Sequence, residues 1–118
     1  SPEGYFVVYC DELKELSLFS INGVLLQRCS MILSRILSCR FSPDGKYFVA
    51  AGVGNAVVVR KVPSFQIVFI YEVPCAVFSL DIVTGPELSF LLLGMMNSQI
   101  RVCPFRPSQF LDSRPKTL

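Results

Sequence analysis

Phe41-Ser42-Pro43-Asp44-Gly45-Lys46-Tyr47-Phe48 reads as a tight turn between two apolar strands. Pro43 sets φ for the first turn position, Asp44 offers a carboxylate to cap the turn, and Gly45 accepts a left-handed backbone. The device recurs along the chain. Ser1-Pro2-Glu3-Gly4-Tyr5-Phe6 opens the sequence, and Thr84-Gly85-Pro86-Glu87-Leu88-Ser89-Phe90 is a looser copy. Phe6, Phe48 and Phe90 stand 42 residues apart at each step, and Gly4 and Gly45 stand 41 apart.

Outward from that stretch, strands alternate with turns. Upstream, Tyr5 to Cys10 reads as a strand, residues 11 to 15 as a charged hairpin loop, and Leu16 to Ile21 as a second strand. Asn22-Gly23, a strong short hairpin signal, then leads into a third strand, Val24 to Cys29. Ser30 to Arg35 is a connection in which one helical turn is compatible with the residues. Ile36 to Ser42 alternates, with Leu37, Cys39 and Phe41 on one face and Ser38 and Arg40 on the other. Lys46 to Gly52 has the composition of a strand buried on both faces. Val53-Gly54-Asn55 turns into Ala56 to Val62, and Pro63-Ser64 turns into Phe65 to Val73. The last strands are Ala76 to Val83, Leu88 to Met95 and Gln99 to Phe105, the latter two joined through Met96-Asn97-Ser98.

A turn-and-strand unit repeating near 40 residues is the signature of propeller blades, each an antiparallel four-stranded sheet. With strands named a to d from the axis outward, the order reads b-c-d, a-b-c-d, a-b-c. The expectation is an all-β, partial propeller of about three blades over residues 1–29, 36–73 and 76–106. The first blade lacks strand a and the last lacks strand d. Residues 107–118 are expected to be a C-terminal tail. Roughly 2.8 repeats cannot close a ring of 4 to 8 blades, so the chain reads as the C-terminal portion of a longer propeller. An N-terminal strand of the parent would complete the last blade.

Composition agrees with buried sheets. Hydrophobic residues make up 52% of the 118 residues and charged residues 17%, which suits sheets covered on both faces or a piece of a larger assembly. A net charge of +2, with Arg60-Lys61 the only adjacent basic pair, argues against nucleic acid as a partner. Cys10, Cys29, Cys39, Cys75 and Cys103 have no CxxC spacing and read as small buried hydrophobes in a reducing, cytoplasmic compartment. The N-terminus carries no signal-peptide pattern, and no apolar run approaches the ~20 residues of a spanning helix.

The segment from Phe41 to Gly52 resembles the first two strands of WD repeats. The Trp-Asp pair of that family would fall near Arg60-Lys61, and no Gly-His precedes the blade, so the family's stiffening hydrogen-bonded tetrad is not expected here. Leu16 to Leu26, the Ser-Pro-Asp-Gly unit and Val57 to Pro63 resemble the last repeats of BEACH-domain proteins of the neurobeachin type. That resemblance implies a WD40-like propeller at the end of a large scaffold acting in vesicle traffic and membrane dynamics, without the BEACH domain itself.

Catalytic chemistry finds little support in the residues. Histidine is absent, so Cys and Ser nucleophiles lack their usual proton acceptor. Asp11, Glu12 and Glu15 crowd one loop, where a solvated face is the simpler reading. Gly52-Val53-Gly54 joins two strands and has no following helix to present amides to a phosphate. No catalytic residue, cofactor or metal ligand is expected.

Binding is a better fit, because blade loops gather at two ends. Turns between strands a and b share an end with turns between c and d. That end collects Lys46, Lys61 and Arg106 against Asp44 and Glu87, while the other collects Asp11, Glu12, Glu15 and Glu72 with Lys14. Lys46, Lys61 and Arg106 are the candidate partner-binding residues, suited to a phosphorylated protein or, peripherally, an anionic membrane surface. Ordinary solubilising charge at loop tips is the simpler alternative reading. Arg40 and Arg60, within strands, are expected to pair with a neighbouring blade's carboxylate or to reach solvent from a blade edge, and Asp81 is read the same way. The function expected is a non-catalytic protein-interaction scaffold. The alternative is a ring-closing segment with no partner surface of its own, whose partner is the rest of the parent propeller.

Overall fold

The computed structural model of the protein describes residues 4–85 and 88–106. Ten strands form in chain order: β1 (Tyr5–Cys10), β2 (Glu15–Ser20), β3 (Leu25–Ser30), β4 (Arg35–Phe41), β5 (Tyr47–Val53), β6 (Ala56–Lys61), β7 (Ile67–Glu72), β8 (Val77–Thr84), β9 (Ser89–Met95) and β10 (Ile100–Pro104). They build three antiparallel sheets, β1-β2-β3, β4-β5-β6-β7 and β8-β9-β10. The all-β partial propeller is therefore observed, with three, four and three strands per sheet. Among the described residues there is no helix, and Ser30 to Arg35 passes through bends instead. The tail from Pro107 lies outside the described residues.

Two apolar layers hold the sheets face to face. Phe48, Ala50 and Val58 of the middle sheet meet Leu16 and Leu18 of the first, with Met31, Leu33, Ile36 and Phe65 completing the cluster. On the other face Tyr47, Val49, Ala51, Val57 and Val59 meet Val77, Leu80, Leu91, Leu93 and Met95 of the third sheet. Period-2 alternation thus sends successive β5 residues to opposite sheets. This is why Tyr47 to Gly52 is buried throughout, as its composition implied.

Three expectations need correction. The 42-residue aromatic step does not carry a constant environment: Phe48 points at the preceding sheet and is 1% exposed. In β9 the residues pointing at the preceding sheet are Leu91, Leu93 and Met95, and Phe90 falls on the opposite face. One added residue moves a side chain across a pleated sheet. In β4 a bulge between Ile36 and Ser38 brings Ile36, rather than Leu37, to the cluster that Cys39 and Phe41 join. The five cysteines are free but only half-buried, because each lies at a sheet margin or on a partly covered face.

The strand expected from Phe65 starts later, at Ile67. Phe65 takes φ 63° and its amide bonds back to the Lys61 carbonyl, so it belongs to the turn.

Candidate interaction face

The Ser42-Pro43-Asp44-Gly45 turn is closed by a small hydrogen-bond set. The Gly45 amide donates to the Ser42 carbonyl at 2.9 Å, with Gly45 at φ 74°. The Asp44 carboxylate accepts from the Ser42 hydroxyl and, at 3.0 Å, from the Lys46 amide. The Tyr47 amide in turn donates to Ser42 Oγ at 3.0 Å. Asp44 is thereby committed to the turn, as its position in the sequence suggested, and Lys46 projects from its rim.

The neighbouring turn is fastened directly to this one. The Val62 amide donates to the Lys46 carbonyl at 2.8 Å, so the β4–β5 and β6–β7 turns share one end of the sheet. Lys46 and Lys61 are both exposed there. Arg106 follows Phe105, whose amide bonds to the Ser89 carbonyl at 2.8 Å and whose ring meets Tyr47 edge-on at 5.9 Å. Arg106 therefore emerges at the same end of the next sheet, exposed. Among the described residues the carboxylate at these turns is that of Asp44; Glu87 lies outside them.

An open groove of about 650 Å³ runs between the first sheet and the β6–β7 turn. Tyr5, Leu26 and Gln27 form one wall, and Lys61, Pro63, Ser64 and Gln66 the other. Neither glutamine was singled out in the sequence, since a groove between two sheets leaves no mark in the spacing of either.

Arg60 anchors that wall from beneath. It is 5% exposed, donates from Nη1 to the Phe65 carbonyl at 2.9 Å and from Nη2 to the Ser30 carbonyl at 3.3 Å. Its guanidinium also lies over the Phe65 ring. Burial lowers the Arg60 pKa, opposed by the adjacent Cys29 thiol. The charge is satisfied by carbonyls and a ring face rather than by a carboxylate.

The opposite end is acidic. The Asp11 carboxylate stands 3.7 Å from Arg35, and the Lys14 ammonium bonds to the Ser34 carbonyl. The Val73 amide bonds to the Asn55 carbonyl at 3.1 Å, placing Glu72 at this end with Glu12 and Glu15. Arg40 does pair across sheets as expected, its Nε 4.0 Å from Asp81 and 3.4 Å from the Leu80 carbonyl.

Three of the thiols are poorly disposed to nucleophilic chemistry. Burial pushes Cys29, Cys39 and Cys103 above the ordinary thiol value of 9.0, with Arg60, Arg40 and Arg101 respectively only partly opposing it. Raised thiols are protonated and unreactive near neutrality. The described residues bring together no group of three or more His, Cys, Asp or Glu side chains able to hold a metal ion.

Three face-to-face antiparallel sheets in this order define a partial β-propeller. Among solved structures the chain is similar to the WD40 β-propeller domain of Doa1, with a TM-score of 0.71 at 15% identity over 92% of this chain. It spans 36% of that chain's length. No protein-family model matches the sequence, and no curated protein matches it. The fold is thus of the WD40 propeller kind.

Proposed function

We propose that the chain serves as a non-catalytic protein-interaction scaffold and that Lys46, Lys61 and Arg106 mark its docking end, which takes an acidic segment of a partner protein. The bond from the Val62 amide to the Lys46 carbonyl carries this reading, because it holds two exposed lysines on fastened turns beside the groove. WD40 propellers commonly bind proteins through such turns, and the opposite end repels the same partner with its excess of carboxylates. The resemblance of Leu16 to Leu26 and Val57 to Pro63 to BEACH-type repeats supports a place in a larger cytoplasmic scaffold of vesicle traffic. Peripheral contact with anionic membranes is the weaker use of the same charges, at about 1 kcal/mol per basic residue.

The test replaces Lys46, Lys61 and Arg106 together by Glu. Binding of acidic and phosphorylated peptides, and of vesicles containing phosphatidylserine, is compared with the parent chain by titration. Peptide affinity is expected to fall at least about tenfold, the scale of a few screened charges. Equal peptide binding by both chains ends the proposal, and loss confined to vesicles transfers the face to the membrane.

A second reading, the ring-closing segment, has its own support. Phe6 stacks on Phe19 on the outer face of the first sheet, with Val8 50% exposed beside them. Ile100 and Val102 are 80% and 56% exposed on the third sheet. Apolar surface at both ends of the stack suits coverage by further blades.

A further inference from the structure

Two consecutive residues of β3, Leu26 and Gln27, both line the groove beside the β6–β7 turn, although neighbours in a regular strand face opposite sides of a sheet. A bulge is the cause. Leu18 pairs with Gln27 and Phe19 with Leu25, so Leu26 is the extra residue of β3. Bulges re-aim side chains and are over-represented beside functional sites.

The middle sheet carries the same bulge and serves as an internal comparison. Val59 pairs with Phe69 and Arg60 with Ile67, which makes Val68 the extra residue of β7. There the bulged pair, Val68 and Phe69, is apolar and packs against the core shared with the third sheet. In the first sheet the equivalent pair borders an open groove, and Gln27 stands exposed at the place of Phe69. A carboxamide has replaced a ring at the point where the two sheets part.

The opposite wall has little backbone left to offer a ligand. The Lys61 and Val62 amides donate to the Gln66 and Lys46 carbonyls at 2.9 and 2.8 Å, and the Lys61 carbonyl accepts from the Phe65 amide. Pro63 has no amide. Recognition from this wall therefore falls to side chains, the Lys61 ammonium and the Gln66 carboxamide, both exposed. A carboxamide donates and accepts at once, which matches the N–H and C=O of a peptide group. Leu26, 37% exposed, adds apolar surface next to Gln27.

We propose that this groove seats an extended segment of a partner protein in which an apolar residue adjoins an acidic one. Gln27 and Gln66 hold its main chain from the two walls, Leu26 receives the apolar side chain and Lys61 pairs with the acid. The assignment rests on the docking end proposed above and names the kind of sequence that end reads. At about 650 Å³ the groove has the size of a ligand site, and its one charged wall residue is complementary to the acidic residue.

Titration of the 118-residue chain with two labelled peptides of equal length tests this, one alternating glutamate and leucine, the other all glutamate. The parent chain is expected to bind the alternating peptide at least about tenfold more tightly, the scale of one buried leucine. Leu26→Asn should abolish that preference. Gln27→Phe, which recreates the apolar pair of the middle sheet, should fill the groove and weaken the alternating peptide at least about tenfold. Gln27→Ala combined with Gln66→Ala should weaken both peptides about tenfold, as two lost hydrogen bonds would. If these variants bind like the parent while replacing Lys46, Lys61 and Arg106 by Glu abolishes binding, the groove is overturned and the docking end stands. If neither peptide binds the parent chain, both fall together. Where a variant does not fold, the parent chain decides: the side-chain amide signals of Gln27 and Gln66 are expected to shift on adding the alternating peptide, and signals that stay in place overturn the proposal.

Discussion

The guanidinium of Arg60 lies 5.3 Å from the centroid of the Phe65 ring while donating to the carbonyl of the same residue. One side chain thus holds both the ring and the backbone of the β6–β7 turn, and its other arm reaches Ser30 at the end of β3. The turn is bolted to the first sheet through a buried cation.

Replacing Arg60 by Ala leaves the Phe65 and Ser30 carbonyls without their donors and removes the packed stem. A loss of about 2–3 kcal/mol in stability is expected, read from the urea midpoint. Arg60→Lys retains charge but not the two-armed geometry and should fall between the two. A variant as stable as the parent would show that the bolt does not hold the sheets.

Gly52 sits opposite the β4 bulge, where a Cβ would lie 2.0 Å from the Arg35 carbonyl oxygen and 2.8 Å from the Leu37 amide nitrogen. Both obstacles are backbone, so relief requires the bulge itself to open. Gly52→Ala should cost roughly 3 kcal/mol or more, among the larger effects of a single substitution. Gly23→Ala, whose Cβ meets nothing within 4 Å but whose φ is 81°, should cost about 1 kcal/mol. Thermal melts of the two variants give the comparison.

Stability should decline in alkali. Cys29, Cys39, Cys103 and Tyr47 all have pKa values raised chiefly by burial, and Tyr71 more strongly so. The folded state therefore favours the neutral form relative to the unfolded chain. That contribution is complete below the ordinary thiol value of 9.0 and is lost as pH rises through the raised values. Urea midpoints should be flat from neutrality to about pH 8 and fall beyond it. Cys39→Ala should flatten part of the slope; an unchanged profile would remove Cys39 from the account.

Arg40 and Asp81 bridge β4 and β8, yet their side chains are 60% and 63% exposed. Solvent screening leaves such a pair a coupling of less than about 0.5 kcal/mol in a double-mutant cycle. A coupling above about 1 kcal/mol would overturn the view of this pair as a screened surface contact.

Much of this architecture is legible without coordinates. Turn chemistry places the hairpins: Asn22-Gly23, Ser42 to Gly45 and Gly54-Asn55 each fall where the structure turns, because glycine and the short polar side chains meet local backbone needs that no distant contact overrides. Strand count and order follow from those turns. The site was legible only in part. That Lys46 and Lys61 share an end follows from strand parity, whereas the groove beside them and the anchoring role of Arg60 needed the first sheet in place.

By itself the sequence determined which segments are strands, where they reverse and that the sheets repeat, since these depend on interactions within a few residues. Which face each side chain takes was decided by tertiary structure, because bulges at Ile36/Ser38 and Val77/Ser79 shift the alternation by one residue. Phe90, in step with Phe48 by counting, points the other way because the backbone step from one sheet to the next is 43 residues, as the Val62–Lys46 and Phe105–Ser89 bonds show, and Leu91 takes the inward place. A pleated strand translates a single added residue into a change of side, and only packing against the neighbouring sheet selects the side that is buried.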